Sequence, residues 1–227
     1  QVCRARNTPI ITFINKLDRE VQEPLDLLAE IESHLGMDAI PFSWPVGMAR
    51  RFAGVFNIPK DQMHVFDASA KDHRAENEEL IPGLHNPDTE QRFGEEFKKA
   101  QEEIELIQAA TPDFDIEAFL AGKQTPVFFG SALNNFGVQE ILDALVDWAP
   151  APGPRQALQR VVQPTEDKFT GMVFKVQANM DPAHRDRVAF VRVSSGHFER
   201  GMRLHVVRTK REMRPNNVVT FLSQRRE

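Results

Sequence analysis

Three prolines and a glycine crowd into residues 149–154, where the chain runs Ala-Pro-Ala-Pro-Gly-Pro. Proline has no amide hydrogen and its ring fixes φ, so a helix cannot continue through this segment. A short run of this composition is stiff and typical of a spacer between domains. We therefore expect two domains, residues 1–149 and 165–227, joined by a proline-rich linker over residues 150–164.

The charge of the chain differs between the two sides of this linker. The 227 residues carry a net charge of −5. Residues 1–150 hold 13 Lys and Arg against 26 Asp and Glu, a balance of −13, whereas residues 151–227 hold 15 against 7, a balance of +8. On charge alone, this split favours two ordinary domains with unequal surfaces. Two modules with different partners, one partner being an anionic polymer, are the alternative.

Before the linker, the hydrophobic pattern alternates between strands and helices. Residues 9–14 and 126–130 are nearly continuous apolar runs, as in buried parallel strands. Apolar residues recur every three or four positions in residues 23–35, 95–109 and 138–148, which predicts three helices. The faces expected to point inward are Leu25, Leu28, Ile31 and Leu35; Phe97, Ala100, Ile104 and Ile107; and Ile141, Leu142, Leu145 and Val146. This order is typical of the C-terminal part of a doubly wound α/β domain.

The stretch between these elements, residues 37–124, is predicted to be an inserted α+β subdomain. Its short apolar runs at 39–42, 53–58 and 63–66 lie among prolines and glycines. Such runs favour a small antiparallel sheet.

After the linker, the pattern changes to β-branched and aromatic runs at short spacing. Residues 169–176, 188–193, 202–206 and 218–222 are predicted to form four strands. Four strands do not close a barrel of ordinary size, so we expect a partial antiparallel β-barrel with an open edge.

Composition excludes several classes of protein. A single cysteine, Cys3, rules out an internal disulfide and a multi-cysteine metal site, and it suits a reducing cytoplasm. No apolar run reaches about 18 residues, so no membrane-spanning helix is expected. His184 with Asp186 and His197 with Glu199 lack a third ligand at a diagnostic spacing, so no metal site is predicted.

The most informative string is Asn15-Lys16-Leu17-Asp18, which directly follows the first predicted strand. In an open α/β sheet, ligands bind beyond the carboxyl ends of the strands. A carboxylate there can accept two parallel hydrogen bonds, and the guanine edge offers such a pair in its ring N–H and amino group. Adenine arranges its groups differently, so a fixed carboxylate would discriminate against it. The Lys16 stem can cover a base face while its ammonium stays in water.

A second string, Gly130-Ser131-Ala132-Leu133, follows the other buried strand. Because loops that follow two parallel strands can lie together, both strings could converge on one base. A polar loop in which Asp18 only caps the following segment is the alternative.

These strings resemble known motifs. Asn15-Lys16-Leu17-Asp18 resembles the N-K-x-D motif of GTP-binding proteins, and Ser131-Ala132-Leu133 resembles their S-A-x motif. The resemblance implies that the aspartate pairs with guanine while the lysine and asparagine support the base and the loop. It also implies that the Ala132 backbone N–H meets the guanine carbonyl oxygen, with GTP or GDP as the ligand.

The long insertion resembles that of the translational GTPases related to elongation factor G. The string over residues 177–190 resembles the second domain of their bacterial peptide chain release factor branch. The resemblance implies a termination GTPase that uses GTP on the ribosome to promote departure of class I release factors. Another elongation factor G-like GTPase is the alternative within the family. A ribosome- or RNA-binding module without nucleotide function is the alternative outside it.

The motifs that would bind phosphate are absent from this sequence. It contains no G-x-x-x-x-G-K-[ST] and no D-x-x-G. The phosphate cradle, its lysine and the Mg²⁺ ligands are therefore expected elsewhere in a longer parent protein, of which this chain is expected to be an internal fragment. No catalytic residue is predicted within the fragment, and GTP hydrolysis by it alone is not expected.

Four basic residues cluster in the second domain: Arg208, Lys210, Arg211 and Arg214. Arginine and lysine on one surface bind nucleic acid phosphates, so the cluster is a candidate contact for ribosomal RNA. A solvated face is the alternative.

Overall fold

The computed structural model describes residues 2–67, 79–178, 187–215, 218, 221–222 and 225–226. The chain divides into two compact units, Gln1–Ala149 and Pro150–Glu227. Among the described residues, no helix combines the length and the apolar composition needed to cross a membrane.

The first unit contains six α-helices and seven strands among its described residues. The helices are α1 Val2–Ala5, α2 Pro24–Leu35, α3 Pro87–Phe93, α4 Glu95–Ala110, α5 Ile116–Leu120 and α6 Val138–Trp148. The strands are β1 Thr12–Ile14, β2 Asp38–Pro41, β3 Ser43–Val46, β4 Gly54–Asn57, β5 Gln62–Val65, β6 Leu80–Pro82 and β7 Gln124–Phe129. A mixed α/β architecture was expected and is confirmed.

A parallel sheet with the order β1-β7-β2 forms the centre of this unit. Ile14 pairs with Phe129 in the β1–β7 ladder, so both predicted strands lie side by side as expected. β7 is buried along its whole length. β1, at one edge of the sheet, is only half-buried.

The prediction that residues 39–42 belong to the inserted antiparallel sheet was wrong. β2 covers most of this run and pairs in parallel with β7, with Ala39 opposite Thr125. Ala39, Ile40 and Pro41 are all buried, the pattern of a strand covered on both faces. The inserted sheet therefore begins after β2.

The inserted antiparallel sheet has the order β3-β4-β5-β6. It is joined to the parallel sheet at β3, where the Ser43 hydroxyl accepts a hydrogen bond of 2.9 Å from the Phe129 N–H. Helix α4 packs on β3, and the Trp44 indole N–H donates across 2.8 Å to Glu103 Oε2. The insert and the parallel sheet thus share one continuous core.

Helix α4 buries its expected face and α2 does so in part. Of the four residues predicted for α2, Leu28 is buried and Leu25, Ile31 and Leu35 are half-buried. Gly36 ends that helix at φ 61, a left-handed conformation that suits glycine. The buried residues of α4 are the four predicted ones, Phe97, Ala100, Ile104 and Ile107.

The predicted inward face of α6 was wrong for three of its residues. Leu142, Leu145 and Val146 are 49%, 45% and 83% exposed. The buried residues of the helix are Glu140 and Ala144. Periodicity shows which residues share a face, but it does not show whether this chain supplies a layer for that face to pack on.

The described residues of the second unit form four separate antiparallel strand pairs. Its strands are β8 Arg155–Gln156, β9 Val161–Val162, β10 Thr170–Ala178, β11 Arg187–Ser195, β12 Leu204–Val206, β13 Arg211–Met213, β14 Phe221–Leu222 and β15 Arg225–Arg226. Each strand pairs with its neighbour in sequence, and the described residues form no closed barrel. The β8–β9 hairpin lies within residues 150–164, which the sequence predicts to be a linker. Residues 179–186, most of the string over 177–190, lie outside the described residues.

Candidate functional site

The two predicted motif loops lie side by side at the carboxyl ends of β1 and β7. The Gly130 N–H donates to the Ile14 carbonyl across 3.0 Å, and the Leu17 N–H donates to the Gly130 carbonyl across 3.3 Å. These bonds continue the β1–β7 pairing beyond both strands. The loops therefore lie where an open α/β sheet places its ligands.

Asn15 connects the two loops. Its Oδ1 accepts a hydrogen bond of 2.8 Å from the Lys16 N–H and one of 2.9 Å from the Ala132 N–H. Lys16 has φ 74, so the chain turns sharply at this point. The N–H that the resemblance assigns to the guanine carbonyl oxygen is thus paired with Asn15 in this structure.

Asp18 is oriented by the second loop. The Ser131 hydroxyl donates to Asp18 Oδ1 across 2.6 Å, and the Asn134 side-chain amide donates to the same hydroxyl across 2.9 Å. The other carboxylate oxygen, Oδ2, lies 4.0 Å from Arg19 Nε, which is beyond hydrogen-bond distance. One carboxylate oxygen is therefore held in place while the other has no hydrogen-bond donor from the described residues.

Asn134 is a site residue that the sequence motif did not predict. The motif ends at Leu133, although the two asparagines that follow it are polar loop residues of the kind that bond locally to side chains and backbone. Such residues are a usable signal beside a motif, but only the structure shows which atom they contact.

A tight turn fixes the second loop. Ser131 and Phe136 exchange two backbone hydrogen bonds of 2.9 and 3.0 Å. A Cβ on Gly130 would lie 2.3 Å from the Phe136 carbonyl oxygen and 2.9 Å from Cζ of Phe13. Only glycine fits at this position, and Ser131 is fully buried in the same close packing.

The remaining motif residues divide between surface and core. Lys16, Ala132 and Leu133 are exposed, Leu133 to 81%. The Leu17 side chain is fully buried in the hydrophobic core, so only its backbone can face a ligand. The site combines one oriented carboxylate with exposed neighbours, which fits a planar ligand with adjacent N–H donors.

The four basic residues predicted as a cluster lie on or directly after the hairpin of β12 and β13 in the second unit. Arg208 and Lys210 occupy its turn, Arg211 begins β13, and Arg214 follows that strand. All four are exposed, and none forms an ion pair with a residue in the part of the chain that the structure describes. This positive surface offers donors to phosphate oxygens.

Within the described ranges, no group of three or more His, Cys, Asp or Glu residues could hold a metal ion.

Comparison with known families identifies the class. The family described as "Elongation factor Tu GTP binding domain" matches residues 1–151, and "Elongation factor G domain 2" matches residues 168–227. The chain belongs to the translational GTPase family that these two domains define.

Individual relatives show which branch of this family the chain resembles. The chain is 73% identical over its full length to "Peptide chain release factor 3" of Bordetella petrii, 74% to that of Bordetella pertussis and 62% to that of Nitrosomonas europaea. It spans 42% of the length of each of these relatives. A resemblance to the release factor branch was expected from residues 177–190 and is confirmed.

Proposed function

We propose that this chain carries the guanine-recognition part of a GTP-binding translation termination factor, which promotes GTP-dependent departure of class I release factors from the ribosome in the cytoplasm. The observation that carries the nucleotide part is the 2.6 Å bond from Ser131 to Asp18. It orients a carboxylate at the end of β1, where such a group can select guanine. The names of the relatives support the role in termination.

The chain's own residues divide the task of base recognition in this proposal. Asp18 accepts from the guanine ring N–H and amino group. The Lys16 stem covers one base face. The Ala132 N–H approaches the guanine carbonyl oxygen, which requires Asn15 to share or release this donor. Leu133 and the backbone of Leu17 complete the surroundings of the base.

Binding of the GTP phosphates is assigned to parts of the protein outside this chain. Because this sequence contains no G-x-x-x-x-G-K-[ST], we propose that other segments of the full-length protein bind the GTP phosphates and Mg²⁺. When bound, Mg²⁺ neutralises charge that develops on the phosphates. This chain alone is expected to show no GTP turnover above background.

The test is a substitution of Asp18 that changes which base this position can bind. In the full-length protein, Asp18→Asn replaces a carboxylate acceptor by an amide that can donate to the C2 carbonyl of xanthine. We expect GDP affinity to fall at least tenfold and XDP affinity to rise. Asp26→Asn, the same change at an exposed position of α2, should alter neither. Unchanged GDP binding in Asp18→Asn, measured by calorimetry, contradicts the proposal.

The exposed β12–β13 hairpin favours a second candidate function, binding of ribosomal RNA. Replacing Arg208 and Arg211 by alanine should weaken RNA binding. It should also reduce the slope of the logarithm of the binding constant against the logarithm of the salt concentration, by about 0.7–0.9 for each phosphate contact that is lost. Arg203→Ala is the matched control, because Arg203 lies 3.9 Å from Glu212 and is already paired. An unchanged slope in the double variant removes this candidate.

Another elongation factor G-like GTPase remains the alternative within the family. The identities of 62–74% to release factor 3 relatives, over the whole of this chain, favour termination over that alternative.

A further inference from the structure

One loop of the inserted subdomain contacts the loop that carries Asp18. This loop, residues 47–52, makes up all but the last residue of the connection between β3 and β4. Its Ala49 N–H donates to the Leu17 carbonyl across 3.1 Å. Leu17 directly precedes Asp18, so the bond restrains the backbone next to the carboxylate.

The same loop also supports the other half of the site. Phe52 is buried, and its ring packs edge-on against Phe136 with the centroids 5.8 Å apart. Phe136 in turn holds Ser131 through two backbone hydrogen bonds. The 47–52 loop therefore contacts the backbone beside Asp18 and the residue that fixes its hydrogen-bond donor.

The conformation of this loop is tightly constrained. Gly47 has φ 74, and a Cβ there would lie 2.0 Å from the Arg51 carbonyl oxygen. Ala49 has φ 53, a left-handed conformation that residues other than glycine seldom adopt. Such a conformation persists only where the surrounding structure holds it.

Helix α4 contacts this loop through one ion pair. Arg51 Nη1 donates to Glu96 Oε1 across 2.7 Å, and Glu96 lies in the first turn of α4. The same helix is tied to the segment before α2, because Lys99 Nζ lies 2.6 Å from Glu23 Oε2. The hydrogen bond to the Glu23 carboxylate raises the pKa of Lys99 above its ordinary value.

We propose that the 47–52 loop positions Asp18 for base recognition. The Arg51–Glu96 pair links this loop to α4 of the insert, and in this way α4 contributes to the preference for guanine. The inference rests on the proposed guanine recognition.

The test compares GDP with IDP, whose base lacks the amino group that Asp18 would bind. In the full-length protein, Arg51→Ala should weaken GDP binding about two- to fivefold and IDP binding less, so the GDP/IDP preference falls. Arg50→Ala removes the same charge from an exposed neighbour and should leave the preference unchanged. The reversed pair, Arg51→Glu with Glu96→Arg, should restore it.

A second readout needs no nucleotide. In this chain alone, Arg51→Ala should speed amide hydrogen exchange at Ala49 relative to the Arg50→Ala control. An unchanged GDP/IDP preference in Arg51→Ala, or equal exchange in the two variants, overturns the inference. If Asp18→Asn changes GDP binding while Arg51→Ala does not, the proposed function stands and only the positioning role fails. If Asp18→Asn has no effect, the proposed function fails.

Discussion

Ser131 donates a hydrogen bond of 2.6 Å to Asp18 Oδ1 although 113 residues separate the two in sequence. The bond joins the loop after β1 to the loop after β7. It forms because β1 and β7 are parallel neighbours, which brings their carboxyl ends to the same edge of the sheet.

Removing the Ser131 hydroxyl should loosen this link. Hydrogen bonds to charged groups contribute about 1.5–3 kcal/mol, so we expect Ser131→Ala in the full-length protein to weaken GDP binding roughly tenfold or more. Fluorescence titration with a labelled guanine nucleotide measures this. The control is Ser33→Ala, because Ser33 is exposed and donates only to the Glu30 carbonyl of its own helix. Equal affinities in the two variants would contradict the assigned role.

Gly130→Ala should destabilise the first unit. The new methyl group would collide with the Phe136 carbonyl oxygen, which is fixed by its pairing with Ser131. Overpacking of this kind costs about 1–3 kcal/mol, or a fall of several degrees in Tm. Gly153→Ala is the control, since nothing lies within 4 Å of its Cβ. Calorimetry of this chain checks the difference, and equal melting of both variants would show that the turn can relax.

The exposed face of α6 can be tested by paired substitutions. Val146 is 83% exposed and Ala144 only 4%. In this chain, Val146→Ser should change the free energy of unfolding by less than about 0.5 kcal/mol, whereas Ala144→Ser buries a hydroxyl and should cost about 1–3 kcal/mol. Urea denaturation measures both. A larger loss from Val146→Ser would show that this face is covered.

The second unit should lose stability in acid through Glu166. The backbone N–H of Gln163 and then the guanidinium of Arg160 lower the pKa of Glu166 in the folded state. Its contribution is therefore present above the unfolded pKa of about 4.3 and disappears as the pH falls through the lower folded value. Glu166→Gln should flatten this acid dependence, followed by circular dichroism. The neighbouring change Asp167→Asn serves as the control, and identical acid profiles for Glu166→Gln and the parent chain would refute the assignment.

Local patterns sufficed for much of the fold. The periodicity of α2 and α4 predicted both helices, the whole buried face of α4 and part of that of α2, because helical periodicity is visible in residues close together in sequence. The apolar run in β7 predicted a buried strand for the same reason.

The pairing of strands into sheets could not be predicted in the same way. Residues 39–42 were assigned to the insert, yet β2 joins β7 in the parallel sheet. A short apolar run can pair in either sheet, since its partner lies far away in sequence and is chosen by packing.

The sequence by itself determined the motif residues, the helix and strand types and the charge difference between the halves, since these depend on side-chain chemistry and local spacing. The tertiary structure decided that Ser131 orients Asp18, that Leu17 is core and that the 47–52 loop contacts both motif loops. Contacts of this kind depend on which surfaces pack against each other in the folded chain. The free energy that favours this packing is spread over many residues of the core, so no short stretch of sequence specifies it.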